Sequence, residues 1–119
     1  MIFEDVLEEI CTGATGVQGS VIMGMDGIPI GEHIVDPDCN IQTVGIEYAN
    51  AIKSIQNASK SLNAGEVQEV IISTTGSVFI LRLINPEYFI ALALDPDGNY
   101  GKARYLMRLA IPGLVGEFD

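Results

Sequence analysis

The chain has 119 residues, 48% of them hydrophobic and 18% charged, and a net charge of −10 from 16 acids against six Lys and Arg. That length fits one domain, here taken as residues 1–119, and the hydrophobic share excludes disorder, which combines low hydrophobicity with high charge. A field of this sign repels nucleic acid and anionic membrane, and no apolar run approaches the ~20 residues that span a bilayer. Neither is therefore expected as a partner. Met1-Ile2-Phe3-Glu4-Asp5 is acidic where a signal peptide is basic, so the expected location is the cytoplasm. Cys11 and Cys39 have no CxxC spacing and read as two idle or buried thiols of a reducing compartment.

Phe3, Val6, Leu7, Ile10 and Ala14 recur at the i, i+3, i+4, i+7 spacing of a helix that Gly13 and Gly16 end. Glu4, Asp5, Glu8 and Glu9 take its other face, and early acids suit the positive end of the dipole. Residues 17–25 and 28–33 read as strands around Asp26-Gly27, a hairpin signal whose two turn positions both take φ > 0. Pro29 has no N–H for a ladder and places the second strand at a sheet edge. Turn residues fill 35–40. Residues 41–62 then predict a long helix with Ile41, Val44, Tyr48, Ile52, Ile55 and Leu62 on its core stripe. Asn50, Lys53, Ser54, Asn57 and Ser61 lie opposite, and Ile46 falls among them. Gly45 and Ala49 flank the stripe on one side, Ala51 and Ala58 on the other.

Three strands follow at 66–74, 77–84 and 87–94, and the last is apolar on both faces, which suits the centre of a sheet covered by helices. After Asp95-Pro96-Asp97-Gly98-Asn99, a final helix runs over 100–111 with Ala103, Leu106, Met107 and Ala110 inward, ended by Pro112 and Gly113. Its Lys102, Arg104 and Arg108 would balance the acidic first helix if the two lie side by side. The order α-β-β-α-β-β-β-α with tight turns predicts an α/β (α+β) fold with a five-stranded antiparallel sheet. Opposite the Pro29 edge, strand 66–74 (Val67, Val70, Ile71, Ile72) carries no proline or lysine, and such an edge aggregates unless it is paired. Pairing with its own copy across a two-fold is the simplest solution. The residues expected at that dimer interface are Gly45, Ala49, Gln56, Val67, Val70, Ile72 and Thr74. The small helical residues would let two helices approach, or would merely ease packing of the helix on its own sheet.

The sequence resembles the roadblock/dynein light-chain family, in its MglB-like prokaryotic branch. The residues concerned are Gly19-Ser20-Val21-Ile22-Met23-Gly24-Met25-Asp26-Gly27-Ile28-Pro29-Ile30, the long middle helix, strand 66–74, Phe89-Ile90-Ala91-Leu92-Ala93-Leu94 and Gly98-Asn99-Tyr100-Gly101-Lys102-Ala103-Arg104. The resemblance implies a profilin-like three-layer sandwich, with the long helix on one face of the sheet and the other two on the opposite face. It also implies a homodimer with its third strands paired. MglB-like proteins bind a small Ras-like GTPase and stimulate its GTP hydrolysis without donating an arginine, whereas other members of the family are scaffolds or link cargo to dynein.

No residue pattern predicts catalysis, a cofactor or a metal. His33 is the one histidine and has no spaced nucleophile or acid. Asp95–Asn99 departs from a calcium loop at its sixth and twelfth positions, Tyr100 and Leu106, and Asp36 with Asp38 reads as a solvated loop. Gly101-Lys102 lacks the remainder of a phosphate loop, and the sequon Asn57-Ala58-Ser59 is mid-helix and fortuitous. Arg82, Arg104 and Arg108 read as paired or solvated cations and not as arginine fingers. The most informative surface is the outer face of the long helix, where Ile46 amid Asn50, Lys53, Asn57 and Ser61 makes an apolar anchor in an uncharged-to-basic surround. Doubled by a two-fold, it would form a platform for the GTPase. The alternative is a scaffold without activating capacity; a small-molecule sensor would need an internal pocket with converging polar groups.

Overall fold

The computed structural model describes residues 2–118; Met1 and Asp119, the ends of the expected domain, lie outside the described residues. The elements are α1 (Ile2–Gly13), β1 (Val17–Gly24), β2 (Pro29–Ile34), α2 (Ile41–Ser61), β3 (Glu69–Ser73), β4 (Val78–Asn85), β5 (Tyr88–Leu94) and α3 (Tyr100–Glu117). The five strands form one antiparallel sheet in the order β2-β1-β5-β4-β3. Continuous apolarity puts β5 at the centre, where residues 89–94 are buried. Pro29 puts β2 at one edge, and the register with β1 shifts at a bulge near Ile22 and Met23.

Strand alternation splits the core in two. Ile22, Ile80, Ile90 and Leu92 face Leu7 and Ile10 of α1 and Met107 of α3, while Val21, Met23, Leu81, Phe89 and Ala91 face Ile41, Ala49 and Ile52 of α2. The long helix thus covers one face and the other two cover the opposite one, as expected. α1 and α3 run antiparallel: Phe3 lies 5.6 Å from Phe118, and Gly13 lies against Leu106. No helix among the described residues is long and apolar enough to cross a membrane.

Four local features depart from the sequence reading. In the β1–β2 loop only Gly27 has positive φ (86°), and the Asp26 carboxylate accepts from the Ile28 N–H, so this is not a two-residue turn with both positions left-handed. β3 is shorter than 66–74, because Asn63 (φ 53°) and Gly65 (φ 90°) turn the chain out of α2 before residue 69, and Thr74 closes the turn to Ser77. The buried stripe of α2 is Ile41, Gly45, Ala49 and Ile52, whereas Ile55 is exposed and Leu62, 76% exposed, lies beyond the helix end. Finally, α3 continues through Pro112, which is exposed where water can take the freed carbonyl. Beyond it Leu114 is buried, and Phe118 stacks on Tyr88 at 4.3 Å. This burial outweighs the roughly 3 kcal/mol that an interior proline costs a helix.

Candidate partner-binding surfaces

The β3 edge is open, and its hydrogen-bond phase is fixed by the register with β4. Residues 68 and 83, and 74 and 77, belong to one alternating series, since the Leu83 N–H donates to the Gln68 carbonyl and the Thr74 N–H to that of Ser77. Val70 and Ile72, in the same series, therefore spend their backbone groups on Leu81 and Phe79. Glu69, Ile71 and Ser73 turn theirs outward. Side chains alternate as well: Val70 and Ile72 join the core on the α2 face, and Glu69 lies on the α3 face. α2 packs over β1, β5 and β2, and Val67, Val70, Ile72 and Phe79, beyond it, stay only half-buried. Gln56 and Val67 line an open groove of about 860 Å³ between the end of α2 and the start of β3. Thr74 is exposed just past the strand.

Two of the residues expected at the dimer interface are placed elsewhere. Gly45 and Ala49 are buried against their own sheet, and a Cβ on Gly45 would lie 2.8 Å from the Met23 sulfur. These small residues bring α2 down onto β1 and are closed to a second copy. Ala51 and Ala58 are exposed.

On the outer face of α2, Ile46, Asn50, Lys53, Asn57 and Ser61 are all exposed. Ile46 (46% exposed) does not stand alone, because the β1–β2 loop comes up beside it: a Cβ on Gly27 would meet its Cγ1 at 3.7 Å. Ile28, next in that loop, is 61% exposed. The sequence reading missed Ile28, although an apolar residue directly after an Asp-Gly turn was a usable signal.

The reactive residue types are occupied structurally. Glu69 accepts from Arg104 Nε and Nη2 (2.9 and 2.6 Å) and from Arg82 Nη1 (3.3 Å). Arg104 therefore ties α3 to the edge strand and does not balance α1. Glu69 pushes the guanidinium pKa of Arg104 further up. Cys11 meets the buried hydroxyl of Ser20 at 3.2 Å, and burial pushes its thiol up, as it does that of Cys39. Both thiols are thereby kept protonated and poorly nucleophilic. His33 is half-buried on β2. Asn99, as the α3 N-cap, accepts from the Lys102 N–H at 3.1 Å. Among the described residues no group of three His, Cys, Asp or Glu could hold a metal.

No family profile and no curated protein sequence matches the chain; solved structures do. MglC from Myxococcus xanthus is 34% identical over 98% of this chain and 99% of its own, with a TM-score of 0.70. MglB from Myxococcus xanthus superimposes at a TM-score of 0.87 with 11% identity, covering 99% of this chain and 95% of its own. A roadblock/LC7 domain from Streptomyces avermitilis gives 0.85 and 12% identity over 97% and 96%.

Proposed function

This chain belongs to the roadblock/LC7 family, in its MglB-like prokaryotic branch, and we propose that it is a homodimeric, non-catalytic regulator that binds a small Ras-like GTPase and modulates GTP hydrolysis in the partner's active site. The observation that carries this reading is the β3 edge. Its outward backbone groups and the half-buried Val67, Val70 and Ile72 beside it are left to be satisfied by a second strand and a second helix. Two copies so joined bring their α2 helices onto one face, each with Ile46 raised among Asn50, Lys53, Asn57 and Ser61. That surface is the docking platform in this reading.

A second reading, a scaffold that binds without accelerating hydrolysis, is favoured by one observation. The likeness to MglB, at 11% identity, is one of fold alone, so no GTPase-contacting residue carries over from it. The test is to mix the protein with the Ras-like GTPase encoded nearest to it and to measure complex formation and GTP turnover in both nucleotide states. Faster turnover supports the first reading, and binding without acceleration the second. No binding to any GTPase sinks both. Ile46→Glu is expected to weaken that complex about tenfold or more, as loss of a central apolar anchor does, and to leave the dimer intact in sedimentation.

A further inference from the structure

The two faces of the sheet end differently at the β3 side. On the face opposite α2, the helix α3 stands over β4 and leaves a shelf above the edge strand. Glu69 and Ile71 form its floor; Tyr100 and Arg104 form its wall, with the Arg104 guanidinium 5.6 Å from the Tyr100 ring centre. Arg108, exposed one turn beyond Arg104, continues the wall. Along the crest, Tyr105 (48% exposed) and Leu109 (59%) stand one turn apart.

This composition is unlike the rest of the surface. α3 carries Lys102, Arg104 and Arg108 against the single acid Glu117, which is half of the six cations of a chain whose net charge is −10. Arg82 adds a fourth cation beneath it. Of these, Arg82 and Arg104 share one carboxylate, Glu69, leaving the shelf positive. Tyr100 and Tyr105 are the only exposed aromatic residues among the described residues. Tyr and Arg are among the side chains that dominate binding energy at protein interfaces, and Leu109 adds exposed apolar area beside them. Folding does not explain their outward placement, since the helix already anchors itself through Ala103, Met107 and Leu114.

We propose that the α3–β3 shelf is a second docking surface, separate from the α2 platform, and that its occupant is an acidic amphipathic helix of a partner protein. Acids of that helix meet Arg104 and Arg108, and its apolar side covers Tyr105 and Leu109. A basic partner is opposed by the three arginines, and an acidic helix without an apolar side leaves Leu109 in water. Pairing of two copies along β3 lies in the plane of the sheet and leaves the shelf open, so this surface does not depend on the GTPase reading.

The probe is a fluorescein-labelled 18-residue helical peptide of Glu and Leu, with Leu at i, i+3, i+4 and i+7, titrated with the full chain in about 50 mM salt. Two controls accompany it: the same peptide with Lys for Glu, and one with Ser for Leu. The expected result is saturable anisotropy change with the Glu/Leu peptide, tenfold weaker binding of both controls, and tenfold weaker binding by Arg108→Glu and by Leu109→Glu. Circular dichroism checks that both variants fold, and Ile46→Glu binds the peptide like the parent chain. Equal binding by parent chain and Arg108→Glu overturns the proposal, as does equal binding of the Ser-for-Leu control, which would show a cation patch only. If Arg108→Glu abolishes binding of the GTPase and Ile46→Glu does not, the shelf is the GTPase site and two separate surfaces do not exist.

Discussion

The two edges of the sheet carry the same liability and meet it in opposite ways. At β2, Pro29 withholds a donor, a bulge breaks the ladder, and α1 packs against the strand from one side while the start of α2 reaches it from the other. Gln42 of α2 even hydrogen-bonds Glu32 on that strand at 3.0 Å. At β3 there is no proline and no bulge, and the Glu69–Arg104 ion pair ties the strand to a helix without blocking it. Its five residues, Glu-Val-Ile-Ile-Ser, hold three apolar side chains in a row and an outward series of backbone groups at positions 69, 71 and 73. In the proposed reading, the edge left open is the one that pairs with a second copy.

The largest expected effect comes from the register itself. Val70→Pro removes an N–H that β3 gives to β4 and leaves the Leu81 carbonyl unpaired in a buried position, so it should lower stability by about 2–4 kcal/mol. Ile71→Pro removes an outward N–H. It should spare the protomer, keep a cooperative urea transition, and weaken self-association by about two orders of magnitude in sedimentation equilibrium, as the loss of ladder bonds at a self-complementary interface implies. If both prolines act alike on folding, the open edge is not the interface. The smaller Gly45→Leu effect sharpens the contrast from the sealed half. Overpacking against Met23 should cost roughly 1–3 kcal/mol, with the dimer dissociation constant unchanged. A weaker dimer at unchanged stability would return Gly45 to the interface.

Most of the fold was legible in the sequence because its signals were local and agreed with one another. Pro29 marked the blocked edge, the apolar run 89–94 marked the centre, and the helix periods gave α1 and α2 within a residue of their ends. Details decided by tertiary contact were not legible. Gly45 and Ala49 look like an approach surface for any neighbour, and only the position of Met23 reveals that the neighbour is the protein's own sheet. Ile55 matches the core period of α2 but is exposed, since that end of the helix overhangs the strands. Pro112 is a sound stop signal that Leu114 and Phe118 override by finding buried places beyond it. Of the candidate surfaces, the outer residues of α2 could be read from phase alone, whereas Ile28 beside Ile46, and Tyr105 with Leu109 on α3, required the packed structure.

The smallest effect tests whether the β2 side of the sheet is sealed. Cys11 lies against Ser20 on one face of β1, and Cys39 lies near Gly19 on the other, where a Cβ would meet its sulfur at 3.3 Å. Burial raises both thiols above their ordinary value, and contact with Ser20 lowers Cys11 only in part. In the unfolded chain each thiol ionises near pH 8.5–9, while in the folded chain burial moves the ionisation to higher pH. The folded state thus binds more protons above that pH, and stability falls as pH rises through the unfolded value. Urea titrations at pH 7.5 and 9.5 should show the decline, and Cys11→Val should remove part of it with a smaller change than either substitution above. Maleimide should label Cys11 at neutral pH at least tenfold more slowly than in the urea-unfolded chain. Rapid labelling of Cys11 in the folded protein would mean that α1 opens from β1 and β2, and the blocked edge would then be protected by sequence chemistry alone.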